Sequence, residues 1–315
     1  MRVLVTGGNG FVGKELIGSI LSQGIHTPVS GVRKLDKAEN FNNQVNIVEL
    51  GNLEEVADRK NLLKDIDVII HTAARVHVMK ENAKKSAIKY QKINVDATLN
   101  LARDAIEAGV KRFIFLSTIK VNGEITKGRG FKADDIPKPE GDYAKSKFEA
   151  EQGLFHLSQS SDMEVVCIRP PLVYGKQKKG NLYFLMKVIK LKIPLPLSAA
   201  IHNKRSFVSI NNLVDLLILC VDHPKAANEV FLVSDGSDIS TASLIQLISN
   251  KMRVKTRLFY FPPFIIKLFS ILFGRSSLYI RLFKNLFVDL EKTSSLLSWK
   301  PKEDIESGFD SVFNK

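Results

Sequence analysis

The amino-terminal residues constrain the fold of this chain most strongly. A short apolar run at residues 3–5 precedes a glycine-rich turn, and a helical pattern over 11–21 follows it. The turn has the spacing G-x-x-G-x-x-G, with its glycines at Gly7, Gly10 and Gly13. The first two glycines allow a tight turn and close approach to a pyrophosphate, and the third allows close helix–strand packing. Since a helix N-terminus also presents free N–H groups, this pattern predicts a dinucleotide site, with Phe11 among its contacts.

Short apolar runs alternate with helical patterns through the first half of the chain. The predicted strands span residues 3–5, 29–32, 45–50, 68–70, 112–116 and 165–168, and a further strand at 230–233 could rejoin them. Strands separated by helices indicate βαβ units, hence an α/β, Rossmann-type, doubly wound and mostly parallel sheet. Short helices and proline-bounded loops follow Gly175 and indicate a smaller, interleaved C-terminal substrate lobe. The predicted dinucleotide-binding domain is 1–175, rejoined by about 207–235, and 176–206 with 236–315 form the substrate-binding lobe.

Composition limits the compartment and the partners. The chain has 315 residues, 44% of them hydrophobic, and two cysteines, Cys167 and Cys220, each within an apolar run. This pattern predicts buried free thiols in a reducing compartment. No export signal is evident, so we expect a cytoplasmic enzyme. The net charge of +13 is scattered and matches no nucleic-acid-binding motif. We therefore expect no nucleic acid, and an anionic diphosphate ligand or an anionic membrane surface fits the charge better.

The end of the second predicted strand bears on the choice of cofactor. Residues 30–34 contain no carboxylate to accept the ribose hydroxyls of NAD, but they include Arg33 and Lys34. Arg33 can pair with a 2′-phosphate, so NADP(H) is favoured, with NAD(H) and a plain surface pair as the alternatives. Two weaker candidates follow later strands. Asn52 could hydrogen-bond the adenine, and Ala73 lies among small residues that let the cofactor pass.

A tyrosine and a lysine suggest acid–base chemistry. Tyr143 and Lys147 are four residues apart, so on a helix they share one face. A tyrosine can exchange a proton with a carbinol or carbonyl oxygen if its phenolate is stabilised. Lowering its pKa from about 10 to about 7 requires roughly 4 kcal/mol. A neighbouring ammonium group and an oxidised nicotinamide could supply this stabilisation.

Spacing alone does not single out this pair. Two further pairs have the same spacing: Tyr174/Lys178 and Tyr183/Lys187. Tyr174 is predicted to lie in a loop after two prolines, and Tyr183 in a helix whose apolar neighbours suggest packing. Only Tyr143 opens a predicted helix between the fifth and sixth strands. Thr118 ends the fifth strand, where ligands bind in such sheets, and its hydroxyl could orient the reacting oxygen.

Several segments together resemble one family. They are residues 3–13, 71–74, 113–123, 143–147, 169–175 and 297–301. In this order they are similar to the NAD-dependent epimerase/dehydratase family of extended short-chain dehydrogenases/reductases. The resemblance implies Thr118, Tyr143 and Lys147 as the catalytic residues. It also implies a homodimer. Asn94 matches an asparagine of the family's fourth helix, whereas Asn122 stands at a position where the family frequently has a tyrosine.

The same resemblance suggests where a substrate would bind. Asn181 and Arg205 match positions that contact the substrate diphosphate, and Arg281 is a third predicted substrate contact. The implied substrate is a nucleotide-linked sugar. No pair of histidines has metal-ligand spacing among His71, His77 and His202, so no metal site is expected.

The precise reaction stays open. Residues 73–79, 119–123 and 202–206 resemble a polysaccharide-assembly subgroup of UDP-glucose 4-epimerases and of 4-keto reductases that form UDP-N-acetyl-quinovosamine or its lipid-linked equivalent. The acidic pair of the family's dehydratases is missing after Thr118. Because Arg33 favours an exchangeable NADPH, we favour reduction of a UDP-2-acetamido-2,6-dideoxy-4-hexulose in O-antigen biosynthesis. The alternatives are a UDP-glucose or UDP-N-acetylglucosamine 4-epimerase with tightly bound NAD, and a non-catalytic NADP-binding regulator.

An apolar segment lies close to the C-terminus. Residues 261–273 are strongly apolar, with Arg275, Arg281 and Lys284 close behind. Their uninterrupted run is far shorter than the roughly 20 residues of a transmembrane helix. A core helix of the substrate lobe or a dimer surface is the favoured interpretation. An interfacial patch that contacts a membrane, where the substrate could be lipid-linked, is the alternative.

Overall fold

A computed structural model describes residues 1–35, 44–55, 57–76, 83–176 and 180–313. The strands are β1 (Arg2–Thr6), β2 (Thr27–Val32), β3 (Asn46–Glu49), β4 (Val68–His71), β5 (Arg112–Leu116), β6 (Glu164–Arg169), β7 (Leu172–Tyr174), β8 (Arg205–Ser209), β9 (Glu229–Leu232) and β10 (Asp238–Ile239). Seven of them form one parallel sheet in the order β3-β2-β1-β4-β5-β6-β9. This confirms the predicted Rossmann-type sheet, including the late strand at 230–233 that rejoins it.

The helices cover both faces of this sheet. They are α1 (Phe11–Gln23), α2 (Lys60–Leu63), α3 (Ala83–Tyr90), α4 (Ala97–Glu107), α5 (Gly141–Gln159), α6 (Asn181–Lys190), α7 (Ile210–Leu219), α8 (Thr241–Lys251), α9 (Pro263–Leu272), α10 (Ser276–Phe283), α11 (Glu291–Leu297) and α12 (Ile305–Phe313). A π-helical turn, Gln91–Asp96, joins α3 to α4. The helix predicted at 93–108 therefore begins within a longer helical segment.

Strand β1 shows why the sheet is buried on both faces. Val3 and Val5 point into a core shared with α1 and α7, whereas Leu4 points into a second core shared with α4 and α5. Successive side chains of a strand alternate between faces, so a strand covered on both sides needs a continuous apolar run. The run at residues 3–5 is therefore a direct consequence of the two helical layers.

A second, three-stranded sheet corrects one prediction. Strand β7 pairs with β8, and β10 completes the sheet. Tyr174 lies at the end of β7, so its predicted loop position is wrong: the two prolines end β6, but the chain pairs again directly afterwards. Tyr174 is buried, donates a hydrogen bond to Asp235 (2.7 Å) and stacks on Phe309 with ring centres 4.4 Å apart. It therefore packs the core, and Lys178 of its predicted pair lies outside the described residues.

The two cysteines match the expectation from composition. Cys167 and Cys220 are buried free thiols, and burial raises the pKa of Cys220 to about 12, so it stays protonated. Within the described ranges, no helix has both the length and the apolar character needed to cross a bilayer.

Candidate active site

A cleft opens where the sheet reverses its strand order. The loops after β1, β2, β3 and β4 enclose a volume of about 460 Å³ at the carboxyl ends of these strands. Five predicted cofactor residues line it: Gly7, Gly10, Arg33, Asn52 and Ala73. Strands β1 and β4 are neighbours. From β1 the chain continues toward one edge of the sheet, and from β4 it continues toward the other edge. The cleft therefore lies at the switch point at which doubly wound sheets bind ligands.

The glycine loop is shaped by contacts that exclude side chains. Gly7 has a φ of +71°, and a Cβ built on it would lie 2.9 Å from the amide nitrogen of Ala73. A Cβ on Gly13 would lie 2.2 Å from the carbonyl oxygen of Gly7. Gly10 caps α1 without a side-chain hydrogen bond, and the first turn of this helix carries no acidic residue. The helix N-terminus therefore leaves N–H groups for an anion, and the loop fits the pyrophosphate of a dinucleotide.

Phe11 begins α1, directly after Gly10 of the glycine loop. Its ring packs against the core around α1 and α7, and a Cβ on Gly175 would lie 2.8 Å from it. Phe11 therefore connects the glycine loop to the chain that follows β7. Its predicted cofactor contact stays a prediction.

Replacing Gly13 by alanine should disrupt this loop. The new methyl group would collide with backbone, which cannot rotate away as a side chain can, so we expect a loss of about 1–3 kcal/mol of stability and at least about tenfold weaker cofactor binding. Gly18 in the same helix is the matched control, because nothing lies within 4 Å of its added Cβ. Gly18→Ala should stabilise the protein by about 0.4–1 kcal/mol. Calorimetry of cofactor binding and thermal melting test both variants, and equal affinities would contradict the steric argument.

The side of the cleft formed by the loops after β2 and β3 does not decide between NAD(H) and NADP(H). Arg33 is exposed at the end of β2. Asn52 donates a hydrogen bond from its side chain to Glu55 (3.2 Å). Glu54 also lines the cleft and was missed from the sequence, although its position two residues after Asn52, in the loop after β3, could have indicated it.

Helix α5 positions the predicted acid–base pair. Lys147 is buried, and its ammonium nitrogen lies 4.1 Å from the centre of the Phe115 ring. Burial lowers the pKa of Lys147 to about 7, against the opposing charge of Glu151. Burial, with a smaller contribution from Tyr90, raises the pKa of Tyr143 to about 12. The protein alone therefore holds Tyr143 as a neutral phenol, and a positive charge close to the phenol oxygen would be needed to lower this pKa.

A hydrogen-bonded clamp fixes α5 to the loop after β4. The side-chain oxygen of Asn94 accepts from the backbone amide of Arg75 (2.8 Å), and its amide group donates to the Arg75 carbonyl (3.2 Å) and to Ser146 (3.0 Å). The hydroxyl of Ser146 donates to the carbonyl of Tyr143 (2.9 Å). Asn94 lies in the π-helical turn, and such turns are frequent at functional sites. The asparagine implied by the resemblance therefore positions the first turn of α5.

Thr118 follows β5 and begins a 3₁₀ turn, Ile119–Val121, against which α5 packs. Its hydroxyl oxygen accepts a long hydrogen bond (3.4 Å) from the amide of Lys120. Because the oxygen acts as an acceptor here, the hydroxyl proton remains available to a substrate oxygen. The structure therefore places the Thr118 hydroxyl at the carboxyl end of the sheet.

His71 supports the sheet. Its ring nitrogens are hydrogen-bonded to the hydroxyls of Thr6 (2.7 Å) and Thr98 (3.1 Å). Burial, reinforced by the charge of Lys147, lowers the pKa of His71 to about 3, so the imidazole is neutral. In the part of the chain that the structure describes, no three acidic, histidine or cysteine side chains are grouped as metal ligands. His77 lies outside that part.

Two predicted substrate residues lie close together. Arg205 begins β8 and donates to the carbonyl of Lys284 (3.1 Å). Burial and the charge of Arg281 lower the pKa of Arg205 to about 10, and Glu124 opposes this shift. Two cations that repel each other create a site that a diphosphate would stabilise. Asn181 is exposed at the start of α6 and follows residues 177–179, which lie outside the described ranges.

The asparagine that departs from the family's pattern has a structural role. Asn122 is buried; its side-chain oxygen accepts from Arg169 (3.0 Å), and its amide donates to the carbonyl of Lys132 (2.9 Å). The guanidinium of Arg169 also binds the carboxylate of Glu151 on α5. Asn122 therefore completes a buried network behind the site.

Comparison with known proteins places this architecture in a family. Residues 3–234 match the model of the NAD-dependent epimerase/dehydratase family, which is well over half of the chain. The chain belongs to this family. As its predicted fold and motifs implied, it is an enzyme of the NAD-dependent, nucleotide-sugar epimerase/dehydratase group.

Relatives in this family extend along the whole chain. A UDP-glucose 4-epimerase of Vibrio cholerae is 44% identical over 309 residues, covering 98% of this chain and 93% of the relative. A UDP-glucose 4-epimerase from Thermotoga maritima, solved with UDP-glucose, has a TM-score of 0.78 at 20% identity and 99% and 97% coverage. A UDP-glucuronic acid 4-epimerase from Bacillus cereus, solved with NAD, has a TM-score of 0.80 at 20% identity and 100% and 96% coverage. These structures share the fold.

Cofactor binding to this epimerase/dehydratase should take up a proton at Lys147. Because the lysine pKa is lowered to about 7 in the protein alone, the side chain is mostly neutral at pH 8.5 and charged at pH 5.5. If the ammonium group of Lys147 donates hydrogen bonds to the ribose hydroxyls of the cofactor, these bonds favour its charged form. Binding to protein freed of its cofactor should therefore take up more protons at pH 8.5 than at pH 5.5.

The measurement is calorimetry in buffers of different ionisation enthalpy. All variants also carry Tyr143→Phe, so that no proton released by the phenol contributes to the measurement. Lys147→Met should abolish the uptake, whereas Lys145→Met, at an exposed position of the same helix, should retain it. An uptake that does not change with pH would contradict the assignment.

Proposed function

We propose that this enzyme interconverts the C4 epimers of UDP-glucose or UDP-N-acetylglucosamine with a nicotinamide cofactor that stays bound. The observation that carries the proposal is the 44% identity, along 98% of the chain, to a UDP-glucose 4-epimerase. It displaces the 4-keto reductase favoured from the sequence to second place. The position of Tyr143 at the start of α5, above a buried Lys147, supports the required proton chemistry.

The proposed roles follow from the site. Bound NAD supplies the acceptor and donor of the hydride at C4. Tyr143 takes the proton of the 4-hydroxyl, and the hydroxyl of Thr118 orients the same oxygen. Lys147 holds the ribose hydroxyls and favours the phenolate by its charge. After the 4-keto sugar has turned, Tyr143 returns the proton as the opposite face of C4 is reduced.

The remaining substrate contacts are proposed mainly from the positive charges of two arginines. Burial and, after it, repulsion by Arg281 lower the pKa of Arg205. Arg205 and Arg281 hold the diphosphate, which relieves this repulsion. Dehydration is disfavoured because Ile119 and Lys120 replace the acidic pair of dehydratases, and Lys120 forms an ion pair with Glu124. Asn181 is a further proposed diphosphate contact at the start of α6.

The test is conversion of each UDP-sugar without added cofactor. Purified enzyme should bring UDP-glucose or UDP-N-acetylglucosamine to a mixture with its C4 epimer, followed by chromatography or NMR. Denaturation should release about one NAD per chain, since the cofactor is regenerated in each turnover. If neither UDP-sugar is converted to its C4 epimer although cofactor is present in the protein, the proposal is overturned.

A second candidate is the 4-keto reductase, and Arg33 favours it. An exposed cation at the end of β2, without a carboxylate on residues 30–34, suits an exchangeable NADPH. The test follows absorbance at 340 nm with UDP-2-acetamido-2,6-dideoxy-4-hexulose and either NADPH or NADH. Stoichiometric loss of NADPH would support the reductase. Arg33→Ala should then raise the KM for NADPH about tenfold and leave that for NADH within about twofold.

A further inference from the structure

Helices α9 and α10 form an exposed apolar surface. In α9 only Ser270 is buried, and the side chains of Phe264 and Leu272 are 70% and 73% exposed. We call this the α9–α10 surface; its apolar residues are Phe264, Leu268, Phe269, Ile271, Leu272 and Phe273. The core-helix interpretation of this segment is therefore wrong, since α9 packs against α10 but leaves most of its apolar side chains in solvent. Exposed patches of this kind mark sites of interaction.

The spacing of these residues forms one stripe. Phe264, Leu268 and Leu272 recur every four residues along α9, so they lie above one another on one helix face. Lys267 and Arg275 are exposed beside this stripe. An apolar face bordered by basic side chains is the pattern of a helix that lies in a membrane interface.

The surrounding chain carries charge of a single sign. Between Asp238 and Asp289 there are eight lysines and arginines and no aspartate or glutamate. Arg253, Lys255 and Arg257 are exposed in this segment. None of these three, nor Lys267 or Arg275, forms an ion pair with a residue that the structure describes. The charges of Lys267 and Arg275 beside the stripe are therefore available to an external anion.

This charge distinguishes between two occupants of the surface. If a second copy of the chain covered the stripe symmetrically, Lys267 and Arg275 of each copy would approach the same cations of the other. No carboxylate between Asp238 and Asp289 would compensate that repulsion. An anionic lipid surface accepts the apolar stripe and neutralises the cations together.

We propose that the α9–α10 surface docks this enzyme on a bilayer of anionic phospholipid. The apolar stripe lies at the boundary between headgroups and acyl chains, and the flanking lysines and arginines contact lipid phosphates. Because Arg281 lies on α10 and influences Arg205, docking would bring the proposed diphosphate contacts next to the bilayer. The inference goes beyond the proposed function and does not rest on it.

Vesicle flotation of the full chain tests the proposal. With vesicles containing phosphatidylglycerol at about 0.1 M salt, where the Debye length is about 10 Å, the protein should float with the lipid. At about 1 M salt, where this length is about 3 Å, the ratio of bound to free protein should fall at least about tenfold. Absence of flotation, or equal flotation with vesicles of phosphatidylcholine alone, would overturn the proposal.

Variants locate the contact. Phe264→Glu with Leu272→Glu, and separately Lys267→Glu with Arg275→Glu, should each lower the bound-to-free ratio at least about tenfold. Ile25→Glu is the matched control, because Ile25 is 69% exposed and does not belong to the α9–α10 surface, so its variant should float normally. All four side chains replaced at the surface are exposed, so melting curves should be unchanged. Equal loss with Ile25→Glu would overturn the proposal, as would a dimer in sedimentation that the Phe264/Leu272 variant dissociates without any lipid binding.

Discussion

Replacing Tyr143 by phenylalanine is expected to lower the rate of sugar interconversion by about three orders of magnitude, within the range of about 10²–10⁴ for a general acid–base. The variant loses one oxygen and keeps the ring, whose centre lies 6.0 Å from that of Tyr90. We therefore expect unchanged cofactor content and melting temperature. The measurement is kcat for the conversion of UDP-glucose, with bound NAD determined on the same sample.

A matched control uses another tyrosine with the same spacing. Tyr183 lies on α6, and the ammonium nitrogen of Lys187 lies 4.8 Å from the centre of its ring. Because neither residue of that pair is among the proposed catalytic or substrate-contacting residues, Tyr183→Phe should change kcat by less than about twofold. If both variants lost activity equally, Tyr143 would not be the acid–base. If cells that carry the Tyr143→Phe variant had an unchanged phenotype, a non-catalytic NADP-binding regulator would be favoured instead.

The sheet was predictable because its signals are local. A strand buried on both faces is apolar throughout, as in β1, and Gly10 and Gly13 lie against the backbone of Gly7 within the same turn. The candidate site follows from the same topology, since the carboxyl ends of parallel strands meet at one edge. The spacing of Tyr143 and Lys147 needed only the prediction of a helix.

The remaining features depend on residues distant in sequence. Tyr174 joins β7 because that strand pairs with β8, opposite Ser209, and nothing next to Tyr174 specifies this partner. The burial that raises the pKa of Tyr143 also comes from the packed neighbours of α5. The exposure of Phe264 was equally hidden, because an apolar run does not reveal whether another element covers it.

Removing the carboxylate of Glu151 should have the largest effect on stability. Its side chain is 2% exposed, that of Arg169 is 4% exposed, and the two form a hydrogen-bonded ion pair between α5 and the end of β6. Glu151→Ala would leave the guanidinium buried without its counterion, which costs about 3–5 kcal/mol of unfolding free energy. We expect a fall in Tm on the order of 10 °C, measured by calorimetry.

Two further variants distinguish the effect of losing the ion pair from the effect of changing any glutamate on α5. Glu149 lies two residues earlier on α5, is exposed and accepts a hydrogen bond from Gln91, so Glu149→Ala should change stability by less than about 1 kcal/mol. The double variant Glu151→Met with Arg169→Met should be more stable than Glu151→Ala, because it removes the unpaired charge and fills the space with apolar atoms. A double variant less stable than the single one would show that the contacts of Arg169 with Asn122 and the Ala133 carbonyl matter more than its charge pairing.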